Sequence, residues 1–514
     1  MQQQNSYMYF KIIVLLGLAL FLANSCNQRA SEIESEKLRP NIIYILADDL
    51  GYGDISAHNP ESAVQTPYMD RLINEGMSFS DAHSASAVCT PTRYGMLTGE
   101  YCWRSSLKSG VLWGYSPPLI KPDQVTVASF LKSHGYRTGV VGKWHLGLGW
   151  QAKDTTKPIE QFDWHYLFNR ELGSNVDYSR PVTGGPNQLG FEYSYIFPAS
   201  LDMPPYLYLE NGMATELPTD YSEGKSQEVD GRGVFWRAGE MSPGFQFNGV
   251  LSEIITKGVE FIREQETDQR PFFLYLPLTA PHTPWLPTEE TSGTTNAGKY
   301  GDFVKLVDNQ IGILLSLLDE MQLTDNTLVV LSSDNGAHWT INDKQLFAHR
   351  PNYIYRGQKA DIYEGGHRIP YLIRWPGQVP AGIVSDQLLS TTDFLATVAG
   401  IINEKVPEGA APDSYDLSEV VMGKTVTSSI RDQMIQHSID GLFAIRQGNW
   451  KYTPVLGSGG FSEPKLMEPA LGEPNGALYD LSTDFAETQN LISNYQPLAQ
   501  RLHKRLEEIT GQEF

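Results

Sequence analysis

Residues 41–49 read NIIYILADD, an unbroken apolar run that ends in two aspartates. Its length and its β-branched and aromatic content predict a strand that is buried on both faces, as in a parallel sheet. Three further runs have the same character, namely TGVVG at 138–142, PFFLYLPL at 271–278 and NTLVVLSS at 326–333. Together the four runs predict the centre of one mostly parallel sheet.

Segments with helical periodicity alternate with these runs. In residues 124–135, 248–265 and 302–322, apolar residues recur at spacings of three and four, which gives each helix one buried stripe. Strands that alternate with such helices are typical of an α/β domain in which helices flank the sheet. We therefore predict one large α/β catalytic domain over residues 40–429.

A different pattern predicts a small α+β C-terminal subdomain over residues 430–514. Two strand-like segments, GLFAIRQGNWKYTP at 441–454 and GALYDLST at 476–483, precede an amphipathic helix at 497–510. The Gly- and Pro-rich stretch at 459–476 predicts a loop within this subdomain.

Charge and cysteine content exclude several classes of protein. The chain has 514 residues, a formal net charge of -21 and a pI near 4.9, so it lacks the basic character that nucleic-acid binding requires. A site for an anion must therefore be built locally. Beyond Cys26 near the N-terminus, only Cys89 and Cys102 remain, which excludes a disulfide framework. We expect Cys102 to be a small packing residue.

The N-terminus predicts export. A signal peptide is indicated over residues 1–25, where Lys11 precedes the apolar run IIVLLGLALFLA, which is too short to span a bilayer comfortably. The sequence ANSC at 23–26 resembles a bacterial lipoprotein box, which implies lipidation of Cys26, for example with palmitate. We therefore expect a membrane-anchored lipoprotein in the periplasm or at the cell surface; the alternative is a plain secretory signal. Residues 26–39 are polar and acidic, which predicts a tether.

Polar side chains follow each of the four apolar runs. In chain order they are Asp48, Asp49, Lys143, His145, His282, Asp334 and Asn335. Because the carboxyl ends of parallel strands meet at one edge of a sheet, we expect these side chains to lie close together. The oxygens of the aspartates and the asparagine are the ligands that a hard cation such as calcium or magnesium prefers. Each pair taken singly has another interpretation as a helix cap or a turn.

Residues 87–101, AVCTPTRYGMLTGEY, resemble the signature of type I sulfatases. The positions that match this signature are Cys89, Pro91, Arg93, Thr98 and Gly99. The blocks LADDLGYGD, GKWHLG, APHTPW, SSDNG and GQKADIYEGGHRIP also look like sulfatase blocks, in the same order, between residues 40 and 380. The resemblance implies an alkaline-phosphatase-like fold and a sulfuric ester hydrolase.

The same resemblance implies a modified nucleophile and one calcium ion. In this family a formylglycine-generating enzyme oxidises the motif cysteine, here Cys89, to an aldehyde that is hydrated to a geminal diol. One hydroxyl of the diol attacks sulfur, and the aldehyde re-forms as sulfate is expelled. The calcium ion would be held by residue 89 together with Asp48, Asp49, Asp334 and Asn335.

Roles for the remaining side chains also follow from the resemblance. Arg93 would orient the diol, and His145 would accept a proton during sulfate elimination. Lys143 and Lys359 would bind sulfate oxygens, while His282 and Lys359 would protonate the leaving group. If Pro91 begins a helix, position 89 lies near a helix N-terminus, which favours an anion.

The substrate hypothesis comes from aromatic loops. Residues 184–212 are rich in tyrosine, proline and glycine, and aromatic faces often stack on sugars, although core packing is their commoner use. We hypothesise a sulfated polysaccharide or its oligosaccharides as substrate, contacted by Trp103, Arg104, Asp202 and Trp285. The alternatives are a phosphomonoesterase or phosphodiesterase of the same superfamily, and a non-catalytic glycan-binding relative. A thiol phosphatase fits worse, because its arginine typically lies six residues after the cysteine.

Overall fold

The computed structural model describes residues 39–159, 173–226 and 233–514. The predicted signal peptide, the Cys26 lipidation site and residues 26–38 of the predicted tether lie outside the described residues. Within the described part of the chain, no helix combines the length and apolar character that a membrane span requires.

The strands of the described residues build several sheets. In chain order they are β1 (Asn41–Asp48), β2 (Met77–Phe79), β3 (Ala82–His83), β4 (Arg137–Lys143), β5 (Tyr193–Phe197), β6 (Leu209–Glu210), β7 (Met213–Ala214), β8 (Asp220–Ser222), β9 (Lys225–Ser226), β10 (Phe235–Trp236), β11 (Gly239–Met241), β12 (Phe272–Pro281), β13 (Thr327–Ser333), β14 (Tyr371–Arg374), β15 (Ile383–Ser385), β16 (Leu389–Ser390), β17 (Gln433–His437), β18 (Phe443–Gln447), β19 (Trp450–Thr453) and β20 (Ala477–Asp480).

The helices lie between these strands. The α-helices are α1 (Pro67–Asn74), α2 (Cys89–Thr98), α3 (Val127–Ser133), α4 (Val250–Arg263), α5 (Gly298–Glu320), α6 (Ile341–Leu346), α7 (Glu364–His367), α8 (Phe394–Ile401), α9 (Ser418–Val421) and α10 (Gln496–Thr510). Single turns of 3-10 helix occur at Tyr52–Asp54, Cys102–Arg104, Pro186–Leu189, Phe247–Gly249, Glu264–Glu266, Thr324–Asn326 and Thr391–Asp393.

The central sheet has ten strands in the order β15-β2-β14-β13-β1-β12-β4-β5-β6-β7. Its middle five strands, from β13 to β5, are all parallel. Antiparallel strands are added on both sides, by β14 on β13 and by β6 on β5. The four apolar runs form β1, β4, β12 and β13, which confirms the predicted α/β fold class, although the sheet as a whole is mixed.

Two apolar layers cover the faces of the sheet, as the strand period of two requires. Along β1, Ile42 and Tyr44 enter one cluster, whereas Ile43 and Ile45 enter the other. Helices α2, α3 and α8 contribute to the first layer, and α1, α4 and α5 contribute to the second. The predicted helices at 124–135, 248–265 and 302–322 are therefore confirmed as α3, α4 and α5.

The C-terminal subdomain is a four-stranded antiparallel sheet in the order β17-β18-β19-β20. Leu502 and Leu506 of α10 pack on this sheet in a separate apolar cluster. Buried ion pairs fasten the subdomain to the large domain. Arg446 of β18 lies 2.6 Å from Asp81, and Lys451 of β19 lies 3.1 Å from Glu364.

Gly142 lets β4 approach β12 closely just before the strand delivers Lys143. Its φ is +132°, and a Cβ added there would lie 1.9 Å from the carbonyl oxygen of Pro277. We expect Gly142→Ala to destabilise the protein by roughly 2–4 kcal/mol, because backbone strain and overpacking add. Gly293→Ala is the matched control, since Gly293 also has a positive φ of +73° but no heavy atom within 4 Å.

Chemical denaturation of both variants checks this expectation. Gly293→Ala should cost only the strain of the left-handed backbone, of order 1 kcal/mol. Equal losses in the free energy of unfolding of the two variants would show that the close approach of β4 to β12 does not add to the cost of a Cβ at Gly142.

Candidate active site

Two neighbouring parallel strands bring carboxylates together at one edge of the sheet. Strands β1 and β13 pair in register up to Ala47 and Ser333, so Asp48 and Asp334 follow side by side. Asp49 adopts a left-handed backbone with φ of +65°, and its amide donates a hydrogen bond to Asp334 Oδ1 at 3.2 Å. The strand ends thus place three aspartates, all of them buried, within one small volume.

Buried cations compensate for two of these carboxylates. Lys143, the last residue of β4, places its Nζ 2.5 Å from Asp48 Oδ2. Arg93 of α2 donates to Asp334 Oδ2 at 2.7 Å and lies 3.6 Å from Asp48 Oδ2. Although burial opposes ionisation, Lys143 and the other cations hold the pKa of Asp48 well below its usual range. The predicted residues Arg93 and Lys143 therefore lie directly against the carboxylates.

The third carboxylate, Asp49, faces Lys359 and His282. Lys359 Nζ lies 2.7 Å from Asp49 Oδ1, and His282 Nε2 lies 3.8 Å from Asp49 Oδ2. Burial and the charge of Lys359 lower the pKa of His282, so the imidazole is neutral near pH 7. Its Nδ1 lies 2.6 Å from the Thr283 carbonyl oxygen, which places the proton of the neutral ring on Nδ1.

Cys89 is the first residue of α2, which follows an extended Val88. Residue 89 therefore lies at a helix N-terminus, but the helix begins at Cys89 itself and not at Pro91, which is its third residue. The thiol is free and buried, and burial raises its pKa, so the unmodified side chain is a poor nucleophile.

His145 is held by backbone contacts beside the site. Its Nε2 lies 2.7 Å from the carbonyl oxygen of Leu112, so the neutral ring carries its proton on Nε2. Its buried Nδ1 has no hydrogen-bond partner among the described residues. Burial and the charge of Lys143 keep the pKa of His145 well below its usual range. The Nδ1 lone pair is therefore available to accept a proton.

The strand-end residues fit a hard cation. Asp48 Oδ1 and Asn335 Oδ1 are buried acceptors that receive no hydrogen bond from the described residues. One ligand atom from each of Asp48, Asp49 and His282 lies within 4.8 Å of the others. Burial, followed by the charge of Asp48, raises the pKa of Asp334 to about 6, a repulsion that a bound cation would relieve. Carboxylate and amide oxygens suit calcium better than zinc.

Charge balance indicates what else the site can bind. The three carboxylates of Asp48, Asp49 and Asp334 face the three cations Arg93, Lys143 and Lys359 at the distances given above. With a divalent cation the cluster has a net positive charge. With that cation bound, the site would suit an anionic group although the protein as a whole is acidic.

A cavity of about 690 Å³ opens onto this cluster. The predicted residues that line it are Asp49, Cys89, Asp202, His282, Trp285 and Lys359. Other parts of its lining come from the β9 and β10 region, through Trp236 and Arg237, and from the predicted loop at 459–476, through Phe461 and Lys465.

Two predicted substrate contacts lie elsewhere. Trp103 stacks on Tyr101 and packs edge-on against Phe443 in the apolar cluster of the C-terminal subdomain. Arg104 makes a bidentate pair with Asp413 at 2.9 Å. Neither residue lines the described cavity. Trp103 packs at the contact between the large domain and the C-terminal subdomain, whereas the Arg104–Asp413 pair lies within the large domain. Asp202, in contrast, pairs with Arg237 at the cavity wall.

Sequence reasoning missed Ser200, which links two site residues. Its hydroxyl lies 3.2 Å from Lys143 Nζ and 3.4 Å from His282 Nδ1. Ser200 follows β5, whose segment YSYIF lies in a stretch interpreted as a loop. The signal was the apolar segment YIF at the end of β5, with Ser200 three residues after the strand ends.

A second group of possible metal ligands, His83, Glu364 and His367, is also buried. Arg368 and Lys451 lie 2.8 Å and 3.1 Å from the Glu364 carboxylate, and these charges oppose a cation. The group is a charge-compensated contact with the C-terminal subdomain.

Comparisons with known proteins agree with this geometry. The family model described as Sulfatase matches residues 40–403. An N-acetylgalactosamine-6-O-sulfatase of Bacteroides thetaiotaomicron is 33% identical over 536 aligned positions, which cover 96% of this chain and 98% of the relative. The human steryl-sulfatase is 30% identical, over 76% of this chain and 71% of its own length.

Solved structures agree as well. One from a study of glycosaminoglycan metabolism by Bacteroides thetaiotaomicron has a TM-score of 0.78 and 32% identity, and the match covers 92% of this chain and all of the other. The fold and the site define a hydrolase of sulfuric esters. The chain belongs to the sulfatase family.

The burial of both thiols gives a prediction for protein made without a modifying enzyme. Burial raises the pKa of the Cys89 thiol and, to about 12, that of Cys102. We therefore expect neither thiol to react with iodoacetamide at pH 8 in the native protein, and both to react after denaturation in guanidinium chloride. Peptide mapping measures the extent of labelling at each cysteine. Fast labelling of Cys89 in the native state would show instead that the site activates the thiolate.

Proposed function

We propose that the chain hydrolyses sulfate esters of sugars through a formylglycine derived from Cys89 and one calcium ion. The observation that carries this proposal is the burial of Cys89 at the start of α2, in a cavity shared with Asp49 and Lys359. The sugar substrate is inferred from the relative named an N-acetylgalactosamine-6-O-sulfatase. N-acetylgalactosamine 6-sulfate is therefore the first substrate to test.

Two groups would complete the site. Calcium, held by Asp48, Asp49, Asp334 and Asn335 beside residue 89, would supply positive charge against the developing negative charge of the reacting centre. The hydrated formylglycine would supply one hydroxyl to attack sulfur and a second whose deprotonation expels sulfate.

The remaining residues bind the anion and move protons. Lys143 and Lys359 would hold sulfate oxygens, because a cation that neutralises Asp48 and Asp49 leaves both ammonium groups available. Arg93, buried against Asp334, would orient the diol.

The protonation of His145, Lys359 and His282 decides which of them would accept a proton and which would donate one. His145 would accept the diol proton at its free Nδ1. Lys359 bears a proton at neutral pH, since the carboxylate of Asp49 raises its pKa against the effect of burial. Neutral His282 bears no proton at Nε2, so Lys359 is the better proton source for the leaving group. His282 would donate a proton only at a pH below its own lowered pKa.

The nucleophile and the reaction are tested together. Protein from a host able to modify sulfatases should yield a Cys89 peptide about 18 Da lighter than the thiol form, the difference between a thiol and an aldehyde side chain. The same protein should release sulfate from 4-nitrophenyl sulfate or from N-acetylgalactosamine 6-sulfate, and Cys89→Ala should release none.

Other outcomes separate the alternatives. Release of phosphate from the matching phosphate esters, without release of sulfate, would favour a phosphoesterase. An intact thiol and no turnover, despite a competent modifying host, would favour a non-catalytic glycan-binding protein.

The sugar-contact role is tested at Trp285. Both Trp285 and Trp339 pack on Tyr300, with ring centroids 5.5 and 5.2 Å apart, but only Trp285 belongs to the described cavity lining. We expect Trp285→Ala to lower kcat/KM for the sulfated sugar about tenfold more than for 4-nitrophenyl sulfate, since a lost ring contact is worth about 1–3 kcal/mol. Trp339→Ala should affect both substrates equally. A Trp285 variant that loses only turnover of the aryl sulfate would contradict the role.

We further propose export, with Cys26 as the lipid-bearing residue of a membrane-anchored protein in the periplasm or at the cell surface. The support is the sequence of residues 1–26. Mass spectrometry of the mature N-terminus decides between lipidated Cys26 and a plain cleaved signal.

A further inference from the structure

The turn that carries Lys359 has a strained backbone. Ala360 adopts a φ of +78°, a region that residues with a Cβ rarely occupy. The Lys359 amide donates to the Ala337 carbonyl oxygen at 3.1 Å, and the Ala360 amide donates to that of Ala87 at 2.7 Å. Since Ala87 lies two residues before Cys89, the turn is tied to the segment that delivers the nucleophile. Such a conformation persists only where its surroundings hold it.

Asp361 is the residue through which the surroundings hold this turn. Its side chain is buried, and Oδ2 accepts a hydrogen bond from the Gln358 amide at 3.0 Å. Oδ1 accepts from the amides of Phe461 at 2.8 Å and Ser462 at 3.0 Å. The Ser462 hydroxyl completes the set at 2.5 Å from Oδ2. One carboxylate thus joins the start of the lysine turn to a loop of the C-terminal subdomain.

The same loop packs closely against the turn at Gly460. A Cβ added to Gly460 would lie 2.4 Å from the carbonyl oxygen of Ala360 and 2.6 Å from Asp361 Oδ1. On another side, the Ile439 amide donates to the Ala360 carbonyl oxygen at 3.0 Å. The C-terminal subdomain therefore fixes the turn through both hydrogen bonds and close packing.

We infer that Asp361 is a positioning residue, whose carboxylate sets the location of Lys359 by binding its turn to the Phe461–Ser462 loop of the C-terminal subdomain. Asp361 itself does not line the described cavity, whereas Lys359 and Phe461 do. The inference rests on the proposed function, in which Lys359 binds the substrate sulfate. It assigns a part of the catalytic geometry to a segment that lies beyond the matched family region, which ends at residue 403.

The size of the expected effect follows from the geometry of such supports. Residues that orient a site residue typically contribute 10–100-fold to activity, and a misplacement near 1 Å costs a similar factor. In Asp361→Asn, the side-chain oxygen can still accept the backbone N–H groups of the loop. The side-chain NH2 group then faces the Gln358 N–H, and two donors cannot form a hydrogen bond. The substitution therefore loosens the turn at the end that leads to Lys359.

A double-mutant cycle separates positioning from general destabilisation. The four proteins are the parent, Lys359→Ala, Asp361→Asn and the double variant, assayed by sulfate release from N-acetylgalactosamine 6-sulfate. We expect Asp361→Asn to lower kcat/KM about 10–100-fold in the parent and less than about threefold when Lys359 is already absent. Asp302→Asn is the matched control, because buried Asp302, like Asp361, accepts backbone amides and one hydroxyl. It accepts two amides, from Gly293 and Thr295, and the Thr295 hydroxyl, and it lies outside the cavity lining.

The outcomes are distinct. The inference is overturned if Asp361→Asn lowers kcat/KM by the same factor with and without Lys359. It is also overturned if Asp302→Asn lowers kcat/KM as much as Asp361→Asn does. Full activity in Lys359→Ala overturns the proposed role of Lys359 and the inference together. If only the inference fails, Lys359→Ala still has a strongly lowered but measurable kcat/KM. If Asp361→Asn does not fold, as judged by its thermal unfolding, Gly460→Ala replaces it in the cycle with the same expectation, because the added methyl group pushes on Ala360 directly.

Discussion

The crowding of three buried carboxylates at the ends of β1 and β13 is the constraint on which the rest of the site depends. The parallel register of these strands brings Asp48 and Asp334 together, and the left-handed backbone of Asp49 turns a third carboxylate toward them. Like charges this close are costly unless cations offset them. The fold supplies Arg93, Lys143 and Lys359 from three different elements.

This arrangement explains how an acidic protein can hold an anionic ester. The three cations are buried against carboxylates rather than exposed, so they have fixed positions and little competing solvent. A divalent cation at the oxygens of Asp48 and Asn335 would change a neutral cluster into a positive one. The surface charge and the site charge are thus set by separate parts of the chain.

The sequence predicted the centre of the sheet because its four buried strands are continuous apolar runs, and it predicted the strand-end residues because parallel strands share one edge. The signature at 87–101 added Cys89 and Arg93. Contacts between residues far apart in sequence were not predicted. No local sequence pattern indicates that the Phe461 amide donates to Asp361 or that Arg237 pairs with Asp202. Trp103 illustrates the same limit, since an aromatic residue near the signature can serve a domain contact as well as a substrate.

The most direct test is a crystal structure of the Cys89→Ala variant, grown with calcium and N-acetylgalactosamine 6-sulfate. We expect a calcium ion bound by oxygens of Asp48, Asp49, Asp334 and Asn335, with the sulfate group between Lys143 and Lys359. A sulfate group bound away from both lysines, or a cation bound at another set of residues, would show that the strand-end cluster is not the catalytic site.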